Sequence, residues 1–306
     1  MPHAHKNSKG HTPKEIHGKK LLWVILLNLV ITIAQVIGGF ISNSLALLSD
    51  ALHNLGDTAA ILLAWVANRV SKRKATEKHT FGYKRFQILA AFFNALVLIS
   101  ICIFLFYEAY QRLMDPQPVK SLIMLIVATV GLLGNLASVL ILKSNRRENL
   151  NVKAAYLHLL GDTLSSVAVI IGGIFMWQYE IYWIDPVITF AVGIYILIHT
   201  WQVLRETYGI LMQATPPEIN VTKIKNRLQQ IDDVDDIHHV HVWRLDDTSL
   251  YFEAHVNTGM DMLVSETENI RNQIEKVLEN EFGINHVTLQ MEYMECTDSN
   301  ELIKNL

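Results

Sequence analysis

His53-Asn54-Leu55-Gly56-Asp57-Thr58 and His158-Leu159-Leu160-Gly161-Asp162-Thr163 repeat one hexapeptide frame, and each copy lies inside a stretch apolar enough to cross a bilayer. A His and an Asp four residues apart share one face of a helix, so each copy presents an imidazole beside a carboxylate. Two such faces turned toward each other supply two nitrogens and two oxygens, a donor set suited to tetrahedral zinc. Ionisable side chains are expensive in hydrocarbon and face a bundle interior, where they carry ions or protons. A single copy reads equally well as a buried polar pair that helps helices pack. Two matching copies read as a site.

Outward from these frames the chain has the composition of a membrane protein: 51% of its 306 residues are hydrophobic, 18% are charged, and the mean hydropathy is positive. Spans are expected at 21–41, 45–68, 86–110, 119–142, 152–177 and 184–207, each near the roughly 20 residues that cross a bilayer as helix. Residues 1–20 are polar and basic, with no small-residue cleavage site after the apolar run, so the first span is expected to be retained. Five Lys precede it, six Lys or Arg fall in 71–85 and four in 143–153, whereas the alternate connections hold only Arg112 and Lys120. With positive charge inside, both termini are expected to be cytoplasmic. Spans two and five then run in opposite directions, which brings His53 opposite Asp162 and Asp57 opposite His158, the logic of inverted repeats around a substrate site.

Asn28, Gln35, Asn94 and Asn135 also lie within spans and are expected to hydrogen-bond between helices. Asp50, about two turns before Asp57, stands out because it is ionisable. It reads as a supporting residue of the site, guarding its entrance or capping a broken helix.

Pro216-Pro217 ends the sixth span. Helical periodicity over 220–231, alternation over 237–245 and 250–257, an amphipathic helix over 264–282 and alternation over 286–291 give the order αββαβ. The expected fold is therefore a six-helix all-α transmembrane domain, 21–211, followed by an α+β ferredoxin-like domain, 212–295, with a flexible tail at 1–20 and another at 296–306. From Met212 onward there are 18 acidic and 7 basic residues. Such a surface argues against nucleic acid and suits either a cation-attracting field or simple solvation.

Histidines gather in this domain at His238, His239, His241, His255 and His286, with Glu292 and Cys296 just beyond the third strand. Neighbouring strands bring such side chains within ligand reach, and His241, His255, His286 and Glu292 are the candidate set. An intracellular Cys near His reads as a thiolate ligand rather than half of a disulfide. His3, His5, His11 and His17 lie in the polar tail, where they would capture metal weakly, if they are not incidental.

The chain resembles the cation diffusion facilitators, and within them the bacterial zinc and cadmium exporters and the animal zinc transporters. The likeness rests on six spans, HxxxD in spans two and five, a basic connection between spans two and three, and the αββαβ domain. Further matching stretches are 44–51, His79-Thr80-Phe81-Gly82, 151–155, His239-Val240-His241-Val242-Trp243 and Gln290-Met291-Glu292-Tyr293. The resemblance implies that His53, Asp57, His158 and Asp162 bind transported Zn²⁺, and that His241, His255, His286 and Glu292 match metal positions of the cytoplasmic domain. It also implies a homodimer joined partly through those domains. A loop site built from an Asp and two His in some bacterial members is incomplete here: His79 matches one His, Tyr83 replaces the other, and Thr76 stands near the acidic position. The short basic connection between spans four and five is expected to meet lipid headgroups.

Zn²⁺ needs deprotonated ligands, so metal and protons compete for one site, and imidazole titrates near neutral pH. The expected function is a Zn²⁺/H⁺ antiporter that removes zinc, with cadmium as an alternative, from the cytoplasm by alternating access. The short loop and small tail point to a bacterial inner membrane. Neither a general base, a nucleophile pair nor a phosphate-binding Gly-rich loop is visible, which argues against an enzyme. A metal sensor would not require ionisable ligands at mid-bilayer.

Overall fold

A computed structural model describes residues 18–143, 150–293 and 302, with side chains for 26–140, 160–293 and 302. The His-containing tail, the side chain of His158 and Cys296 lie outside the described residues.

Six long helices come first: α1 Gly18–Ser42, α2 Leu45–Ser71, α3 Phe86–Met114, α4 Ser121–Lys143, α5 Leu150–Tyr179 and α6 Ile184–Leu211. The shortest has 23 residues and the longest 30, enough for about 30 Å of hydrocarbon. Among the described residues, α3, α4, α5 and α6 contain stretches both long and apolar enough to span a membrane, and Leu26–Ser42 of α1 is apolar but shorter. Asp50, His53, Asn54 and Asp57, with Asn68 and Arg69 near its end, dilute the apolar residues of α2. Phe40, Ile103, Phe104, Leu164 and Ile198 point outward. An apolar exterior of this extent belongs against lipid, and the chain is a multi-pass membrane protein.

Small residues let the helices approach closely. A side chain at Gly38 of α1 would meet Val127 of α4, one at Gly131 would meet the Gln35 amide, and one at Gly134 would meet Ile31. Leu47, Met124, Val169 and Met176 fill the space between α2, α4 and α5.

The turn between α1 and α2 is fixed at Asn43, whose φ of +60° lies in the left-handed region that Asn tolerates better than most residues. Arg112 of α3 donates to the Asn43 carbonyl at 2.6 Å and to its Oδ1 at 3.0 Å. Asp185, in the first turn of α6, is buried and caps α2. Its carboxylate accepts from Ser44 Oγ at 2.6 Å, Leu45 N at 2.7 Å and Ala46 N at 3.2 Å. Helix N-termini present unsatisfied amides and a positive dipole end, and a carboxylate answers both.

The α+β domain follows the expected order, with α7 Val221–Leu228, β1 Val234–Arg244, β2 Leu250–Thr258, α8 Val264–Phe282 and β3 His286–Tyr293. Asn220 caps α7 by accepting from Lys223 N at 3.0 Å, and Gly283 ends α8 with a φ of +69°. The sheet order is β1-β2-β3; β1 and β2 are antiparallel, and α8 carries the chain across so that β3 lies parallel to β2. Ile224, Leu228, Ile237, Val240, Val242, Phe252, Ala254, Val256, Ile270, Ile274 and Leu278 form the core between sheet and helices. Val240 N donates to Leu302 O at 2.9 Å, so a residue near the chain end hydrogen-bonds to β1.

By packing, the chain divides into two compact units, 1–58 with 100–196 and 59–99 with 197–306. In the second unit the loop before α3 meets the β1–β2 turn. Phe81 sits edge-on to Tyr251 with ring centroids 5.6 Å apart, and Lys84 Nζ is 3.2 Å from Ser249 Oγ and 3.7 Å from Asp246 Oδ2. Burial pushes the Asp246 carboxyl up, but hydrogen bonds from Thr248 and Ser249 outweigh it and hold the group below its ordinary value.

Candidate metal centre

His53 and Asp57 lie one turn apart on α2, and Asp162 lies on α5. His53 Nε2 is 3.1 Å from Asp162 Oδ1 and 3.6 Å from Asp57 Oδ2. The three ligand atoms fall within 4.8 Å of one another, with His53 and Asp162 buried and Asp57 half-buried. Four tetrahedral ligands around zinc at about 2.1 Å are about 3.4 Å apart, so the two His53 distances suit a single ion. His158, expected as the fourth ligand, precedes Asp162 by one turn along α5, and its side chain lies outside the described residues.

Behind this group α2 runs unbroken through Asp50, which is buried and accepts from Ser165 Oγ at 2.5 Å, Gln35 Nε2 at 2.7 Å and Ser166 Oγ at 3.3 Å. Asn54 Nδ2 in turn donates to Gln35 Oε1 at 2.9 Å, and Asn135 Nδ2 to Ser166 Oγ at 3.5 Å. Asp50 thus ties α1, α2 and α5 together beside the site, on a helix with no break there for it to cap. The interhelical bonding expected of Gln35 and Asn135 is present; the part of Ser165 and Ser166 went unread because hydroxyls in apolar spans ordinarily bond their own helix. Tyr195 of α6 was also missed. Its ring stands edge-on to His53, with centroids 6.2 Å apart and planes at 83°.

In the α+β domain a second group forms from His238, His255 and Glu292, whose ligand atoms also lie within 4.8 Å of one another. His255 Nδ1 is 2.6 Å from Glu292 Oε1, and His238 Nε2 is 3.2 Å from Glu292 Oε2. That second carboxylate oxygen is buried and makes no hydrogen bond of proper angle, so this donor set has capacity left for a cation. Of the expected residues, His255 and Glu292 are brought together. His241 lies opposite Glu253 with its ring 5.1 Å from that of His239, and His286 packs on Tyr251 at 4.3 Å. Neither joins the group. β1 carries a bulge at this point: the register runs from His238↔His255 to His241↔Glu253, and the extra residue, His239, has a φ of +53°. His238 is therefore the residue paired with His255, while His241, beyond the bulge, is paired with Glu253. His79 stacks on Tyr83 at 4.7 Å in the loop before α3 and belongs to neither group.

Comparison with known proteins gives a consistent picture across the chain. Residues 21–212 match the cation efflux transmembrane domain, and 216–294 match the cation efflux protein cytoplasmic domain. The zinc transporter ZitB of Escherichia coli is 36% identical over 301 residues, covering 97% of this chain and 94% of the relative. The metal cation efflux system protein CzcD of Cupriavidus metallidurans is 37% identical over 289 residues, 94% of this chain and 91% of the relative. A cadmium, cobalt and zinc/H(+)-K(+) antiporter of Bacillus subtilis is 37% identical over 286 residues, 92% of each chain.

Proposed function

The chain belongs to the cation efflux family, and from that premise we propose that it exports zinc, with cadmium as an alternative cargo, in exchange for protons at His53, Asp57, His158 and Asp162. One observation carries this reading: His53 Nε2 stands 3.1 Å from Asp162 and 3.6 Å from Asp57, which joins the two motif helices at a buried cluster of metal-ligating groups. Zinc binds these groups only when they are deprotonated, so entry of zinc releases protons and entry of protons releases zinc. With the site open first to the cytoplasm and then to the far side, an inward proton gradient drives zinc outward. The imidazoles carry the exchangeable protons because their affinity for protons lies near neutral pH. No catalytic role is assigned, and the chain is read as a carrier rather than an enzyme.

His238, His255 and Glu292 are assigned to a divalent ion held by the cytoplasmic domain, which would cross-link β1, β2 and β3. The protein is read as a homodimer joined partly through that domain. Both termini are placed in the cytoplasm by the basic connections, and the bacterial relatives support an inner membrane.

The test is a proteoliposome with a zinc dye and a pH dye inside, comparing wild type with Asp162→Ala under an imposed pH gradient. Zinc flux coupled to opposite proton flux, and lost in the variant, supports the reading. Zinc flux that survives Asp162→Ala overturns it.

A further inference from the structure

Gly161, the residue before Asp162, has no room for a side chain. A Cβ placed there would lie 2.5 Å from the Tyr195 hydroxyl oxygen and 3.6 Å from Tyr195 Cζ. The obstruction is therefore the hydroxyl, not the ring. The helix that carries Tyr195 is itself held closely: Phe106 of α3 packs where a side chain on Gly193 would go, and Cys102 of α3 packs with Val192 and Ile196. The phenol ring meets His53 edge-on at 6.2 Å, and the hydroxyl lies against the residue before Asp162. A helix that carries none of the metal-ligating groups thus sets a phenol ring against His53 and its hydroxyl beside the residue that precedes Asp162.

Carboxylates that bind metal are themselves oriented by hydrogen-bonding groups around them. Tyr195 is 37% exposed in a span where lipid offers its O–H no partner, which leaves the protein to supply one. We propose that Tyr195 is a positioning residue of the transport site: its hydroxyl, seated over Gly161, braces the acidic ligands, and position 161 is glycine because that hydroxyl fills the space. This deepens the transport reading given above and rests on it. It also accounts for one residue of the second motif that metal ligation alone leaves unexplained.

The experiment uses the full-length protein, purified in detergent for zinc titration by calorimetry and reconstituted for flux. Tyr195→Phe keeps the ring and removes only the hydroxyl, and should weaken zinc binding by about 10- to 100-fold, the usual effect of losing an outer hydrogen bond at a metal site. Helical content and apo-protein melting should not change. Gly161→Ala should weaken zinc binding to the same extent by displacing the hydroxyl. The double variant should be no weaker than either single one, because the phenylalanine Cζ is at ordinary contact distance from the new methyl group. Wild-type zinc affinity in Tyr195→Phe overturns the inference, as do losses that multiply in the double variant. Asp162→Ala separates the two levels: if it loses flux while Tyr195→Phe binds and transports as wild type, only the role of Tyr195 falls. If Asp162→Ala still transports zinc, the transport reading falls first.

Discussion

Replacing Asp185 by alanine tests whether one carboxylate from α6 holds the start of α2. The carboxylate accepts three hydrogen bonds, at 2.6, 2.7 and 3.2 Å, from the Ser44 hydroxyl and the amides of Leu45 and Ala46. Ser44 can turn to another acceptor, since its hydroxyl already accepts from Leu47 N at 3.1 Å, but the two amides are buried and have no free rotation. Each buried donor left without a partner costs about 1–3 kcal/mol, so the alanine variant should lose about 2–6 kcal/mol. Asp185→Asn keeps one oxygen for one amide and should lose roughly half as much. At about 2–4 °C per kcal/mol for a chain of this size, the alanine variant should melt on the order of 10 °C lower, read by circular dichroism of the protein in detergent. Because His53 lies on the helix that Asp185 starts, zinc affinity should fall in the same order, wild type above Asn above Ala. A melting midpoint for Asp185→Ala within about 2 °C of wild type would refute the capping argument.

Three other outcomes are expected. Phe252→Ala should destabilise the α+β domain by about 3–5 kcal/mol, seen as an earlier domain transition in scanning calorimetry, because Phe252 is fully buried among residues of both helices and the sheet. Asp246 is held below its ordinary value of 3.8, so its contribution to stability is complete above that value and is lost as pH falls through the lower, folded value. Melting curves of wild type and Asp246→Asn should therefore differ at neutral pH and converge in that acid window. Glu292→Gln should reduce the rise in domain melting temperature that zinc produces, since a ligand at 100 times its Kd adds about 2.7 kcal/mol to the state it binds.

Much of the architecture was legible because it rests on local pattern. Apolar runs of the right length mark the helices of the bundle, and the switch from period 3.6 to period 2 after Pro216-Pro217 marks the αββαβ domain. The pairing of His53 with Asp162 was legible because one spacing occurs twice. What escaped depends on tertiary placement. A strand pattern read as strict alternation does not announce a bulge, and the one here, at His239, leaves His238 paired with His255 and His241 paired with Glu253. Asp185 reads locally as an acid in the first turn of its own helix, where it favours that helix's dipole; that it caps a different helix is visible only in space. Tyr195 carries no signal at all in sequence, since an aromatic in an apolar span is ordinarily a packing residue.

The α1/α4 seam has a mechanical consequence. Gly38 receives Val127, Gly131 receives Gln35 and Gly134 receives Ile31, so the two helices mesh in both directions like the teeth of a rack. Sliding α1 along α4 by one residue would drive a branched side chain against bare backbone, and rolling it would withdraw Gln35 from Asp50. The pair is a keyed joint with no low-energy travel along its length. The alternating access proposed above is therefore expected to leave this joint intact and to be taken up elsewhere in the bundle.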